Sequence, residues 1–308
     1  MATAMSPFEQ VSSLPRRGAA LWSRLTKRSS SNFKFAFLFL GADQREGLQQ
    51  VYEFCRVVDD IVDEREMTAE GAARASVELA EWSREIARVY RDPYLTEDPP
   101  HTELGRGLAA TNKLFAYPRE AFDEIIAGVA MDLQRSTYED AEALRLYCYR
   151  VASCVGLLCI AIFGDQSEAS RDYAIHLGLA LQYTNILRDI AEDAQRGRCY
   201  IPLDLLARHD ASVQDIFDYR YDGRFVAIAT DFAAAAEREY QAAWRVLPQV
   251  KGRQALLPAE IMGRTYYEIL QEIRARNFNV FTRRASLRRR DKLKVAAIAL
   301  ARAKFAVL

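Results

Sequence analysis

The 308-residue sequence predicts an all-α fold, a single helical domain around a central cavity. Three observations predict it. Apolar residues recur at helical spacing in seven long segments, and alternating strand patterns are hard to find. Glycine and proline gather between those segments rather than inside them. No Gly/Ser linker divides the chain, and half of its residues are hydrophobic, enough for one substantial core.

In chain order the periodic segments are 44–66, 69–90, 119–133, 141–163, 170–195, 225–247 and 258–277. Usual helix lengths then imply roughly ten helices in all. The breaks carry turn chemistry: Asp92-Pro93 through Pro99-Pro100 reads as a loop, and Tyr117-Pro118 opens a helix. Gly164-Asp165-Gln166-Ser167 closes one helix, and Arg196-Gly197-Arg198-Cys199-Tyr200-Ile201-Pro202 ends another.

Charge and cysteine content narrow the function classes. The 42 basic and 42 acidic residues cancel, so nucleic-acid binding is not expected. Five scattered cysteines without CxxC spacing read as buried free thiols in a reducing, cytoplasmic compartment. The three histidines, His101, His176 and His209, are dispersed and receive no ligand role. No uninterrupted apolar run reaches the ~20 residues of a membrane span.

The ends are distinctive. Residues 1–28 are basic and serine-rich, read as a flexible arm before a domain over 29–308; in composition they also resemble a transit peptide. Residues 283–304 hold nine basic residues and one acid. Two readings stand for this stretch: a peripheral contact with the inner face of an anionic membrane, or a solvated basic helix packed by its apolar side.

The chemistry lies in two acidic segments, Asp59-Asp60-Ile61-Val62-Asp63-Glu64 and Asp189-Ile190-Ala191-Glu192-Asp193. Each sets two aspartates four residues apart, on one helical face. Both faces extend into polar stripes: Tyr52, Arg56, Asp59 and Asp63 on the first, and Gln182, Asn185, Asp189 and Asp193 on the second. The other positions of these helices are largely apolar, so the polar stripes must meet something besides water. Magnesium, with manganese as its substitute, takes carboxylates plus substrate phosphates. Asp59, Asp63, Asp189 and Asp193 are suitable ligands, Gln182 and Asn185 add amide oxygens, and Arg56, Arg188, Arg196 and Arg198 suit phosphate oxygens. One acidic run alone would read as a solvated helix face, and neither has EF-hand spacing. The pairs are expected to face each other across a cavity, with cations and a diphosphate between.

From about Ser29 to the last helix the chain resembles the squalene/phytoene synthase family, the head-to-head isoprenyl diphosphate synthases. The resemblance rests on Tyr52-Glu53-Phe54-Cys55-Arg56-Val57-Val58-Asp59-Asp60, Tyr147-Cys148-Tyr149-Arg150-Val151-Ala152, and Asn185 through Asp193 running into the Arg-Gly-Arg segment. The block Tyr147-Cys148-Tyr149-Arg150-Val151-Ala152, together with Ile162-Phe163-Gly164 and Tyr266-Tyr267-Glu268-Ile269-Leu270, is most similar to the bacterial presqualene diphosphate synthases of the hopanoid pathway. The resemblance implies an isoprenoid synthase fold and two farnesyl diphosphates as substrates. It makes Asp59, Asp63, Asn185, Asp189 and Asp193 metal-site residues, and Tyr52, Arg56, Gln182, Arg188 and Tyr266 substrate contacts. It adds a phosphate-binding segment, Ser30-Ser31-Asn32-Phe33, in which Asn32 stands where serine is usual. Ser153 replaces a glycine and is expected to narrow the cavity at a helix crossing. Released diphosphate, ahead of Tyr149 or Tyr52, is expected to take the reaction's proton. NADPH is not expected for this half-reaction, and downstream squalene-pathway enzymes are the implied partners. The alternatives are a phytoene or dehydrosqualene synthase, a full squalene synthase using NADPH, a terpene cyclase, and a non-catalytic helical scaffold.

Overall fold

The described residues of the computed structural model are 40–65, 68–91, 97–288, 290, 291, 294, 295, 297 and 298; they hold eleven α-helices between Ala42 and Ala275 and no β-strand. The segment Ser30-Ser31-Asn32-Phe33, the N-terminal arm, and residues 289, 292, 293, 296 and 299–304 of the basic stretch lie outside them.

The helices are α1 (Ala42–Asp63), α2 (Ala69–Val89), α3 (Glu103–Phe115), α4 (Arg119–Gln134), α5 (Ala141–Cys148), α6 (Cys154–Phe163), α7 (Glu168–Gln195), α8 (Leu203–Arg208), α9 (Val213–Phe217), α10 (Gly223–Val246) and α11 (Leu257–Ala275). Each of the seven periodic segments is helical, with boundaries shifted by a few residues. The fourth is interrupted by one π-helical turn, Tyr149–Ser153, between α5 and α6. Thr68, Thr102, Asp140, Ser167 and Asp222 each accept a backbone N–H of the turn they open, which fixes where α2, α3, α5, α7 and α10 begin.

Periodicity did not predict α3, α8 and α9. The last two are too short to show a period. In α3 two glycines break the pattern, and packing requires them. A Cβ on Gly105 would stand 2.2 Å from the Glu85 carboxylate of α2, so the helices meet there only without a side chain. Glu85 is buried and accepts from the backbone N–H groups of His101 and Thr102, 3.1 and 2.7 Å away.

Helix α7, 28 residues long, is the axis of the fold. Helix α10 lies along one side of it, and α6, the π turn and α11 along the other. Helices α1 and α4 close the bundle against α6. The run Ala141–Phe163 is long enough, and in part apolar enough, to cross a membrane by length and composition alone, despite its scattered charges. Its apolar side chains are instead spent on the core: Leu157, Leu158, Ile160 and Ile162 are all buried. All five cysteines are free thiols, four of them buried and Cys55 half-buried.

Candidate active site

The two acidic pairs meet. Asp59 and Asp63 from α1 and Asp189 and Asp193 from α7 line one polar cleft of about 350 Å³. The chain between 195 and 204 helps to form it. Cys199 N–H donates to the Ser136 carbonyl at 2.8 Å, and Leu203 N–H to that of Tyr138 at 2.9 Å. These bonds hold the Arg-Gly-Arg segment against the end of α4 and aim Arg198 and Tyr200 inward.

Arginines join the two acidic motifs. Arg196 and Arg198 reach Asp63 at 3.0 and 2.7 Å, across more than 130 residues of sequence. Arg188 grips Asp189 with two bonds of 2.8 and 2.5 Å, and its guanidinium lies over the Tyr266 ring, 5.9 Å from the centroid. Arg284, beyond α11, makes a second bidentate pair with Asp189 at 2.6 and 2.9 Å.

One aspartate of each motif is thus paired and the other is not. Asp59 lies deep in the cleft although solvent enters to reach it. Its position there, with Asp63, Asp132 and Asp60 nearby, pushes it up to about 7 against the pull of Arg198. Burial and the neighbouring Asp189 likewise push Asp193 up to about 7, against Arg196 and Arg198. Burial would raise Asp189 too, but Arg188 and Arg284 overcome it and hold that carboxyl below its ordinary value.

A fifth carboxylate, Asp132 of α4, lines the same cleft, and the sequence reading missed it. Tyr147 and Tyr200 both donate to its Oδ2 at 3.0 Å, and Tyr138 approaches Oδ1 at 3.5 Å. The three rings pack against one another with centroids 5.2–5.7 Å apart. Burial raises Asp132, with Arg198 and the two phenols opposing. Its sequence signal is weak, because no second acid stands one turn away.

Most expected residues converge here: Gln182, Asn185, Arg188, Arg196 and Arg198 line the cleft with the four aspartates. Four others sit differently. Tyr266 supports Arg188 and lines an adjoining apolar chamber. Tyr52 and Arg56 line neither cavity, and Arg56 bonds to Asp60 at 3.2 Å. Tyr149 is absent from the cleft lining and lies beside Cys154, whereas Tyr147 faces the cleft. Residues two apart on a helix point to nearly opposite sides, so the two tyrosines cannot share it. Ser153 does not narrow the cavity either. It is buried at the crossing with α7, where its hydroxyl donates to the Ile175 carbonyl at 2.8 Å. The room comes from Gly178, whose added Cβ would stand 2.5 Å from the Ser153 Cα.

The donor set fits hard divalent cations. Asn185 donates its amide N–H to Gln182 at 3.2 Å, while its carbonyl oxygen is buried without a hydrogen-bond partner at the cleft wall. Such an oxygen is costly unless something binds it. Five carboxylates outnumber the three guanidiniums of the lining, so an anionic ligand is repelled unless cations accompany it. Among the described residues no three acidic, His or Cys side chains are grouped closely enough to hold a metal ion by themselves, so a magnesium ion here would need water and phosphate to complete its shell.

The apolar chamber has a volume of about 180 Å³ and shares Val151, Gln182 and Asn185 with the cleft. One face of α7 lines both: Tyr173, Leu177 and Leu181 in the chamber, then Gln182 and Asn185, then Asp189 and Asp193 in the cleft. The site therefore takes a polyanionic head and an apolar tail in line.

The squalene/phytoene synthase family profile matches residues 26–291. The presqualene diphosphate synthase of Rhodopseudomonas palustris is 38% identical over 249 residues, 80% of this chain and 85% of that one. The 15-cis-phytoene synthase of Synechocystis sp. is 32% identical over 292 residues, 91% of this chain and 83% of that one. The crystal structure of squalene synthase HpnC from Alicyclobacillus acidocaldarius covers 84% of this chain and 94% of its own, at 27% identity and a TM-score of 0.73. A dehydrosqualene synthase structure shares the fold at a TM-score of 0.77 and 23% identity, over 97% of this chain and 99% of its own. With its helices arranged in the isoprenoid synthase fold, the chain belongs to the squalene/phytoene synthase family.

Proposed function

We propose that this enzyme joins two farnesyl diphosphates head to head into presqualene diphosphate, releasing one diphosphate and one proton, as a step toward squalene and hopanoids. The observation that carries the reading is the change of chemistry along α7, from apolar chamber to acidic cleft at Gln182. A prenyl diphosphate laid along that face puts its tail among Leu177 and Leu181 and its phosphates among Asn185, Asp189 and Arg188. The similarity to the Rhodopseudomonas palustris enzyme supports the fifteen-carbon choice.

Asp59, Asp63, Asp189, Asp193 and the Asn185 carbonyl oxygen would hold magnesium, which would neutralise the diphosphate and stabilise it as a leaving group. Arg196 and Arg198, which here bond Asp63, would be free to bind phosphate oxygens if a cation were held by that carboxylate. When the C1–O bond of one substrate breaks, the 2,3 double bond of the other attacks the allylic cation, and loss of a proton closes the cyclopropane. The chamber wall keeps water from the cation. Tyr147 is engaged as a hydrogen-bond donor to Asp132, Tyr52 and Tyr149 are outside the cleft lining, and a neutral phenol is a weak base, so the released diphosphate is the base in this reading.

A second reading, a phytoene-type condensation of twenty-carbon substrates, is favoured by the match to the Synechocystis enzyme over 91% of this chain. Incubation with farnesyl or geranylgeranyl diphosphate, with and without NADPH, followed by mass spectrometry, separates the two. Presqualene diphosphate from farnesyl diphosphate without NADPH is expected. Phytoene as the sole product would overturn the first reading.

A further inference from the structure

We infer that Phe163 and Tyr173 form the floor that sets substrate length, admitting a fifteen-carbon chain and excluding a twenty-carbon one. The inference rests on the prenyl diphosphate reading of the site. Two helices line the chamber with the same spacing: Val151, Val155, Cys159 and Phe163 descend one wall, and Asn185, Leu181, Leu177 and Tyr173 descend the other. The helices are joined by the short link Gly164–Ser167, so they run antiparallel, with both mouth residues at one end and both aromatic rings at the other. From Asn185 to Tyr173 the twelve-residue rise is about 18 Å. Ring contact at the floor removes about 4 Å of this, leaving about 14 Å. With C–C bonds of about 1.5 Å, each advancing an extended chain about 1.25 Å, the eleven main-chain bonds of a farnesyl group span about 14 Å. The fifteen bonds of a geranylgeranyl group span about 19 Å by the same measure.

The floor is closed rather than open to solvent, since Phe163 and Tyr173 are 6% and 0% exposed. The wall side chain able to yield to a chain is Met262, half-buried and unbranched. The buried Tyr173 hydroxyl has no hydrogen-bond partner, so what Tyr173 brings to the floor is its ring.

The test is direct competition between farnesyl and geranylgeranyl diphosphate, read by mass spectrometry as the ratio of their kcat/KM values. Wild type is expected to favour the shorter substrate. Phe163→Ala and Tyr173→Ala are expected to raise the relative use of the longer one at least tenfold, with Phe163→Leu showing the same direction if either alanine variant fails to fold. Tyr173→Phe keeps the ring and is expected to leave the ratio unchanged. A wild type that uses farnesyl diphosphate while the folded floor variants keep its ratio overturns this inference and leaves the site's function standing. A wild type that prefers the longer substrate overturns it as well. Turnover of neither substrate overturns both.

Discussion

Asp193→Asn is expected to make the metal-free protein more stable while abolishing turnover. The folded site holds this carboxyl at about 7 against an ordinary 3.8, through burial and the charge of Asp189. A raised value means that the folded state prefers the protonated form; the group's favourable contribution is complete below 3.8 and is lost as pH rises through about 7. At pH 8 the roughly three-unit difference corresponds to about 4 kcal/mol of destabilisation at 1.36 kcal/mol per unit, and water in the cleft screens this to about 2–4 kcal/mol. A neutral amide of the same shape removes it. At pH 5 only the interval above 3.8 counts, leaving about 1 kcal/mol after the same screening. The assay is a thermal melt in EDTA at both pH values. The variant should melt at least ~4 °C above wild type at pH 8, by the usual scaling for large domains, and the gap should shrink at pH 5. Excess magnesium should raise the wild type more than the variant. An unchanged or lower melting temperature at pH 8 in EDTA would refute the account of Asp193 as a carboxylate held at a cost for its cation.

Three further outcomes follow from the geometry. Lowering the pH from 8 to 6 should weaken magnesium binding in calorimetry, because Asp59 and Asp193 take up protons near pH 7 that the metal must displace. Tyr147→Phe or Tyr200→Phe should each cost about 1–2 kcal/mol in urea unfolding, since each removes one donor from the buried Asp132 carboxylate; no change would mean that Asp132 is satisfied otherwise. Arg284→Gln should tighten magnesium binding to the substrate-free protein up to about fivefold, because a half-exposed ion pair worth up to about 1 kcal/mol no longer competes for Asp189. Equal affinity would show that the pair opens freely.

Much of the fold was legible because helical periodicity is a local signal. Phe54, Val58 and Val62 repeat at helical spacing on α1, and all three are buried. The aspartate pairs were legible for the same reason, since four residues make one turn. Asp132 was not, because what marks it is contact with Tyr147 and Tyr200, 15 and 68 residues away. Tyr149 was legible as a tyrosine of the motif block, but it is Tyr147, two residues earlier, that enters the cleft, and only the turn of the helix decides that. Arg284 could not be found at all, since its partner Asp189 lies 95 residues earlier. Arg56 was assigned to phosphate from its place on the stripe, yet a neighbour on its own helix, Asp60, holds it.

The sequence by itself determined the seven long periodic helical segments, which of their faces are polar, and that each aspartate pair stands on one helical face, because each follows from spacing within a few turns. The tertiary structure alone decided that an acidic cleft and an apolar chamber meet at Gln182 and Asn185, and how deep that chamber runs. Depth depends on α6, α7 and α11 packing side by side, with Gly178 allowing the π turn to approach, and such long-range contacts leave no period in the chain.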